Sequence, residues 1–229
     1  MSEYRSMTLD VLGYIRTPFC EKFGVPRQSG LAESVQGEIE LYPEFDRTGV
    51  YDGLGACTHL WLTFWFHAQE QAWTSKVRPP RLGGNKKLGV FATRTPRRPN
   101  PIGLSVVKIL LVDTVANRLV VSGVDLLDKT PILDIKPYLP YTDCIPEAST
   151  SFARHAPARL TVEIAQDLEG QFADKVGLLS IIRDVLSFDS RPAYHEDGKI
   201  YGTALAGYNV RWLIEDKCVR VFELEALDA

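Results

Sequence analysis

The residues with the clearest chemical potential are the basic ones between residues 71 and 112. Nine Lys and Arg side chains occur in this segment without a single Asp or Glu, whereas the rest of the chain holds 17 basic against 29 acidic residues. The net charge of −3 therefore conceals a strongly uneven distribution. Fixed positive charge concentrated in this way attracts phosphates and other anions, so we expect an anion-binding surface in preference to a merely solvated basic face.

The same region combines rigid and permissive backbone positions. Five prolines fix φ and restrict the residues before them, while three of the four glycines are expected to permit positive φ or a close backbone approach. Between them, the apolar stretch Leu88–Thr93 predicts a buried strand. Because a flexible linker would be polar and Gly/Ser-rich, we expect ordered loops that shape a binding surface. The prolines are Pro79, Pro80, Pro96, Pro99 and Pro101, and the glycines are Gly83, Gly84 and Gly103.

Two further features could contribute to a site. The loop at residues 23–30, FGVPRQSG, places a proline, a cation and an amide between two glycines, which is typical of an ordered loop, although a simple turn explains it equally well. The apolar, aromatic-rich run 58–67 contains His59 near its start and ends at His67. A histidine at a strand end is more often a hydrogen-bonded structural residue than a catalyst. His67 is the better candidate, because the chain enters the basic segment there.

The sequence predicts that these residues lie on strands or in the loops between them. β-branched and aromatic runs bounded by Pro, Gly and Asn predict strands with few helical signals before residue 150. The run 58–67 is apolar on both faces and predicts a central, covered strand. Closing such strands into a β-barrel removes the exposed sheet edges, so we predict a closed or nearly closed barrel. The predicted strands cover residues 8–16, 37–42, 58–67, 102–112, 118–127 and 132–136.

The composition changes after residue 146, and we predict three units: a β-barrel domain at 1–146, a small polar linker at 147–158, and a small α+β domain at 159–229. Apolar residues at helical spacing predict an amphipathic helix over 171–188. Short strands are predicted at 199–205, 208–214 and 218–224. The aromatic and basic residues of this unit, including Tyr194 and Arg211, suit either an RNA-stacking surface or a structural core.

Composition and motif searches restrict the class of protein. The 229 residues are 45% hydrophobic, and the first residues carry charges where a signal peptide needs an apolar run, so a cytoplasmic protein is expected. Four scattered cysteines without a C-x-x-C pair predict neither a disulfide framework nor a metal site. The chain contains no Walker loop, no G-x-S-x-G, no H-E-x-x-H and no Rossmann glycine pattern. A nucleotide cofactor would therefore need another kind of fold.

Several stretches resemble the TrmO family, also called TsaA-like, over nearly the whole chain. They are VPRQSG at 25–30, SKVRPPRLGGN at 75–85, LGVFATRTPRRPNPIGLS at 88–105, DLLDKTPILDIKPYLPYTD at 125–143, RPAY at 191–194 and YNVRW at 208–212. The resemblance implies a dimeric, single-sheeted β-barrel with a small C-terminal domain. It also implies use of S-adenosylmethionine to methylate the 6-amino nitrogen of N-threonylcarbamoyladenosine beside the anticodon of tRNA.

The resemblance also implies a set of cofactor-binding residues. Arg94 is expected to bind the methionine carboxylate, because a guanidinium suits a planar anion. Two positions depart from the family pattern, since glycine is expected in place of Lys129 and a polar residue in place of Ala68; both contacts are then expected to use the backbone. The full set is Pro26, Arg27, Gln28, His67, Ala68, Arg94, Leu104, Leu127, Asp128, Lys129 and Thr130.

The implied reaction needs alignment and a modest base. The attacking nitrogen lies between an aromatic ring and a carbonyl, which makes its proton unusually acidic. Asp134 is the first candidate for the base and His67 the second, although a structural hydrogen bond explains Asp134 equally well. Two alternatives to an enzyme remain, namely a non-catalytic nucleotide-sensing module and an RNA-binding module. Residues expected to contact tRNA or its modified nucleoside are Arg78, Arg81, Arg97, Arg98, Tyr194 and Arg211.

Overall fold

Six antiparallel strands form a closed barrel in the first two thirds of the chain, so a mainly β fold with a barrel is confirmed. The computed structural model describes residues 6–79, 82, 86–150, 153, 155–191 and 197–227. The strands up to residue 137 are β1 (Gly13–Arg16), β2 (Gln36–Leu41), β3 (His59–Trp65), β4 (Lys76–Val77), β5 (Leu88–Gly89), β6 (Ile102–Asp113), β7 (Arg118–Ser122) and β8 (Thr130–Pro137). The order around the barrel is β1-β2-β7-β6-β3-β8.

The barrel interior is filled by alternate side chains of these strands. In β3, for example, Leu60, Leu62 and Phe64 are buried, while the residues between them are partly exposed. Ile15, Ile39, Leu119, Val121 and Ile132 meet them from the other strands. The prediction that β3 is covered on both faces is wrong, because Trp61 and Trp65 lie on its outer face and Trp65 is 38% exposed.

Three predicted strands are clearly shorter than expected. The strand predicted over 8–16 consists only of β1, which begins at Gly13. The strand predicted over 118–127 ends at Ser122, because Gly123 adopts a left-handed φ of 75° and residues 123–129 form a loop. The strand predicted over 88–93 consists only of β5, which pairs with β4. Val90–Ala92 then forms a 3-10 turn that leaves Phe91 81% exposed. Arg81, predicted to contact tRNA, lies outside the described residues, as does Tyr194.

The C-terminal part is a four-stranded sheet packed against two helices. The remaining elements are α1 (Pro140–Asp143), β9 (Thr161–Ile164), α2 (Gln166–Gln171), α3 (Val176–Leu186), β10 (Tyr201–Leu205), β11 (Tyr208–Glu215) and β12 (Cys218–Ala226). The sheet order is β10-β11-β12-β9, with β9 parallel to β12. The helix predicted over 171–188 begins only at Val176, and the separate helix α2 before it was not predicted. Between the two helices the chain turns, and Phe172 packs edge-on against Tyr208 at 5.4 Å.

The loop after β1 joins the two parts. The Phe23 ring stacks 6.1 Å from Tyr201 and 6.3 Å from Trp212, both in the C-terminal sheet. Along the outer edge of β10, the Ala206 amide donates to the Pro18 carbonyl at 2.9 Å, and the Ala204 amide donates to the Glu21 carboxylate at 2.8 Å. The same loop continues into residues 25–30, so the packing of the C-terminal sheet also positions one wall of the candidate site.

A second contact between the parts lies at α3. Asp184 accepts hydrogen bonds from the Ser34 amide and hydroxyl, both at 2.9 Å, and forms an ion pair with Arg159 at 2.7 Å. Arg159 also donates to the Leu31 carbonyl. Across the ranges that the structure describes, no helix has the length and apolar character needed to cross a membrane.

Candidate functional site

A cavity of about 560 Å³ lies beside the barrel, between four chain segments. These are the loop at 25–28, the end of β3 with residues 66–69, the segment from 93 to the first half of β6, and the loop at 125–130. The cavity brings together residues that are far apart in sequence. Those predicted from the sequence to bind the cofactor and found in its wall are Pro26, Arg27, Gln28, His67, Ala68, Arg94, Leu104, Leu127 and Thr130.

Asp128 and Lys129 belong to the same loop but lie outside the cavity wall. Asp128 accepts a hydrogen bond from the Thr17 amide at 3.0 Å and so fastens the loop to β1. Lys129 has a positive φ of 58°, and its amide donates to the Ile15 carbonyl at 2.9 Å. The glycine expected at this position would adopt that backbone conformation without the crowding of a Cβ atom.

Asp134 also lies away from the cavity wall. It is on β8, paired in register with Thr63, and its half-exposed carboxylate forms an ion pair with Lys136. It also accepts a hydrogen bond from the Ile135 amide at 2.9 Å. The structural alternative considered for Asp134 therefore describes its present contacts.

The loop at 25–30 is held by backbone contacts and by Arg94. The Gly30 amide donates to the Gly123 carbonyl at 2.8 Å, which links this loop to the one at 123–129. A Cβ atom on Gly123 would lie 3.2 Å from the Gly30 backbone, so the two loops approach closely. At the cavity wall, Arg94 donates to the Gln28 side-chain carbonyl at 2.5 Å.

His67 occupies the turn that follows β3. The Phe66 amide donates to the Pro101 carbonyl at 2.8 Å, and Lys22 donates to the Ala68 carbonyl at 2.6 Å, so the turn is held on both sides. Desolvation lowers the pKa of His67, and the charge of Lys22 lowers it further, while Asp128 opposes the shift. The imidazole is therefore neutral at pH 7 and able to accept a proton.

Asp125 is the main site residue that sequence reasoning missed. Its carboxylate accepts a hydrogen bond from the Ser105 hydroxyl at 2.7 Å. Burial raises the pKa of Asp125 to about 6. Hydrogen bonds from the Ser105 hydroxyl and from the amides of Asp125 and Ser29, together with the nearby charge of Arg94, act in the opposite direction. The available signal was an acid in the otherwise apolar run 119–127, where a solvent-exposed carboxylate would be unexpected.

The apolar part of the wall depends on one glycine. The Phe64 and Phe66 rings pack edge to face at 5.1 Å, and both line the cavity. Gly103 faces Phe64 across the β3–β6 pair, and a Cβ atom there would lie 2.2 Å from the ring. Only glycine leaves room for Phe64 at this position. Other lining residues that the sequence did not single out include Lys22, Val25, Trp61, Gln69, Thr93, Pro96, Ile102 and Leu126.

The predicted tRNA-contacting residues have different surroundings. Arg78 is exposed, whereas Arg97 and Arg98 are partly buried and donate to the carbonyls of Ala72 and Thr93. Arg98 also lines the cavity. Arg211 lies on the C-terminal sheet, where it forms an ion pair with Glu223 at 3.4 Å.

Comparison with known proteins finds relatives that match nearly the whole chain and others that match about half of it. The Escherichia coli (strain K12) tRNA (adenine(37)-N6)-methyltransferase is 44% identical over 233 residues, which cover 96% of this chain and 98% of that protein. A "Probable S-adenosyl-L-methionine-binding protein" of Methanothermobacter thermautotrophicus is 38% identical over 127 residues, 56% of this chain and 86% of that protein. The crystal structure of TrmO from Pseudomonas aeruginosa gives a TM-score of 0.81 at 35% identity, covering 98% of this chain and 100% of that one.

Two family models match consecutive parts of the chain. Residues 14–144 match the tRNA-methyltransferase O N-terminal domain, and residues 157–227 match the TrmO C-terminal domain. The barrel, the sheet that follows it and the full-length relatives agree with both matches. The chain therefore belongs to the TrmO family.

Proposed function

We propose that the protein is a tRNA methyltransferase that uses S-adenosylmethionine and modifies the N6 atom of an adenosine beside the anticodon. Its specific substrate in this proposal is N-threonylcarbamoyladenosine. The observation that carries the proposal is the cavity, whose wall joins Arg94, His67 and the loop at 25–28 in a chain 44% identical to a tRNA (adenine(37)-N6)-methyltransferase.

The residues of the cavity suit this cofactor. Its volume of about 560 Å³ lies within the range of roughly 300–1,000 Å³ typical of small-molecule sites. Arg94 offers a guanidinium for a carboxylate, Gln28 an amide for an adenine edge, and Phe64 and Phe66 an apolar wall. When bound, S-adenosylmethionine supplies an electrophilic methyl group.

The chain's own contribution is alignment and proton removal. Arg94 and the loops hold the reacting groups in one orientation, which supplies much of the rate enhancement in such reactions. The neutral imidazole of His67 can accept the proton that N6 loses. Of the two acceptors predicted from the sequence, His67 lines the cavity and Asp134 does not, so we propose His67 first.

The basic segment is proposed to bind the RNA. The exposed Arg78 is suited to tRNA phosphates, and Arg98, which reaches the cavity wall, is suited to the threonyl carboxylate. We further propose a cytoplasmic homodimer. The exposed apolar side chains Trp65 and Leu104 support this, since a second copy would cover them, and sedimentation analysis would report the mass.

The substrate proposal is tested by comparing two tRNA preparations. An unmodified adenosine has a less acidic amino group and lacks the threonyl carboxylate, so methylation is expected only after threonylcarbamoylation. The enzyme and labelled S-adenosylmethionine are incubated with tRNA from cells that can and cannot make the threonylcarbamoyl group, and methyl groups are located by mass spectrometry of anticodon-loop fragments. Equal incorporation into both preparations would overturn the substrate assignment.

A further inference from the structure

Among the described residues that line the cavity, Asp125 is the only carboxylate. The other charged side chains of the wall are basic: Lys22, Arg27, Arg94 and Arg98. A single anion among several cations cannot serve to attract an anionic ligand. Asp125 needs an explanation of its own, because even a partly buried carboxylate is costly in free energy unless a cation or several hydrogen bonds compensate for its charge.

Hydrogen bonds fix the position of Asp125, but they do not use all the acceptor positions of its carboxylate. Ser105 on β6 donates to one carboxylate oxygen at 2.7 Å, and the backbone amides of Asp125 itself and of Ser29 in the neighbouring loop also donate to the carboxylate. An ionised carboxylate can accept about four hydrogen bonds, so an acceptor position remains free for a ligand.

Arg94 is the charged group that faces Asp125, yet the two form no direct ion pair in the described structure. Arg94 lies near enough to lower the pKa of Asp125, while its guanidinium donates to Gln28 at 2.5 Å. Ser105 and Ser29, which approach from the other elements, are uncharged. The same wall of the cavity thus presents a cation and an anion that are close but not joined.

This arrangement matches the amino-acid end of the cofactor, where a carboxylate and an ammonium group share one carbon atom. We propose that Asp125 binds the α-ammonium group of S-adenosylmethionine, next to the carboxylate that Arg94 binds. The inference rests on the proposed function. The alternative ligand for a carboxylate in such a site is the ribose diol, but neutral hydroxyl groups would not neutralise the partly buried charge, whereas an ammonium group does.

The affinity for the cofactor should then depend on pH. The ionised form of Asp125 binds an ammonium group and the protonated form does not. Because the pKa of Asp125 in the ligand-free protein is about 6, affinity is present above that pH and is lost progressively as the pH falls through it. A ligand without the amino-acid end should show no such loss.

The test uses calorimetry on the intact chain with three ligands: S-adenosylmethionine, S-adenosylhomocysteine and 5′-methylthioadenosine, which keeps the ribose and adenine but lacks the amino acid. Asp125→Asn should weaken the first two by about 10- to 100-fold, the range for losing a charge-assisted hydrogen bond. Binding of 5′-methylthioadenosine should remain, which also demonstrates that the variant pocket is folded. Asp113→Asn, at the last residue of β6, is the matched control and should alter none of the three.

The outcomes separate the inference from the function on which it rests. If wild-type protein does not bind S-adenosylmethionine, the proposed function fails. If wild type binds it and Asp125→Asn binds it equally well, or if the variant loses all three ligands alike while remaining folded, the assignment to the ammonium group is wrong. Should the variant not fold, wild-type titrations at pH 5 and pH 7.5 decide the matter, because a pH-independent affinity for S-adenosylmethionine would overturn the inference.

Discussion

The pKa values of two side chains in the cavity wall are shifted in opposite directions by the same cause. Desolvation lowers the pKa of His67 and raises that of Asp125, because in each case burial disfavours the charged form. His67 is thereby kept neutral as a proton acceptor. Asp125 is left with an ionised form that a cationic ligand can stabilise.

Arg94 is expected to control the affinity for the cofactor. Replacing it with alanine removes a charge-assisted contact to the methionine carboxylate, so we expect a loss of about 1.5–3 kcal/mol in binding free energy. Calorimetric titration of Arg94→Ala measures this. Arg47→Ala, which removes an exposed arginine that donates to the Glu44 carbonyl, is the control for loss of charge. An unchanged dissociation constant for Arg94→Ala would assign this side chain to the RNA or to the fold.

The sequence predicted cofactor-binding residues in several distant loops, but it did not indicate Asp125. The family resemblance implied Arg94, His67 and the loop at 25–28, and the fold brings all of them to one cavity. Asp125 lies in a run that predicted a strand, and its role depends on Ser105, which is 20 residues away in sequence. Only the folded barrel places that hydroxyl beside the carboxylate.

Strands β3 and β6 form the apolar wall of the cavity, where the Phe64 ring packs against Gly103. The ring is buried and only 3% exposed, so it has little freedom to move away from an added atom. The apolar wall therefore requires glycine at position 103, because any side chain there would collide with the Phe64 ring. The sequence predicted both strands, but it could not identify which glycine a ring covers, because that depends on the pairing register.

Gly103→Ala is expected to destabilise the protein by about 1–3 kcal/mol, the usual cost of overpacking a well-packed interior. The added Cβ atom would begin 2.2 Å from the Phe64 ring, which must shift towards the cavity and reduce the space for a ligand. Urea denaturation and ligand titration measure the two effects. In Gly177→Ala, on α3, the new atom meets open space, and removal of a helical glycine should stabilise by up to about 1 kcal/mol. If both variants showed equal stability, Phe64 would not be a rigid part of the wall.

The boundaries of other elements depended on backbone geometry that the residue pattern did not reveal. The hydrophobic run after Ser122 predicted a longer β7, but the left-handed Gly123 ends the strand and starts the loop that carries Asp125. Likewise, the helical spacing from Phe172 onwards predicted a helix that already begins at residue 171, whereas residues 172–175 form a turn and α3 begins at Val176. Phe172 is buried in that turn, while Val176 is 71% exposed.

For the whole molecule, the uneven charge distribution determines how RNA is expected to bind. Each phosphate neutralised by a basic side chain releases counterions, so the logarithm of affinity falls with the logarithm of salt concentration by roughly 0.7–0.9 per contact. Arg78→Ala and Arg97→Ala should each reduce this slope by about that amount in filter-binding titrations with tRNA. Cofactor affinity should not change with them.

Two further variants locate the RNA surface. Arg220→Ala, which removes a cation paired with Glu215, is the control and should leave the slope unchanged. Arg211→Ala tests whether the C-terminal sheet takes part, because its ion pair with Glu223 must open before it can bind a phosphate. If neither Arg78→Ala nor Arg97→Ala alters binding or its salt dependence, the basic segment has a structural role.

The loop that covers β10 also affects how the protein can misfold. A barrel has no free strand edge, but the C-terminal sheet is open, and its β10 edge is covered by Pro18 and Glu21 of the loop after β1. If the C-terminal sheet separated from the barrel, this edge would become a template for strand addition from another molecule. The same loop that forms one wall of the cavity thus protects the protein against aggregation, so substitutions near Phe23 face selection for solubility as well as for ligand binding.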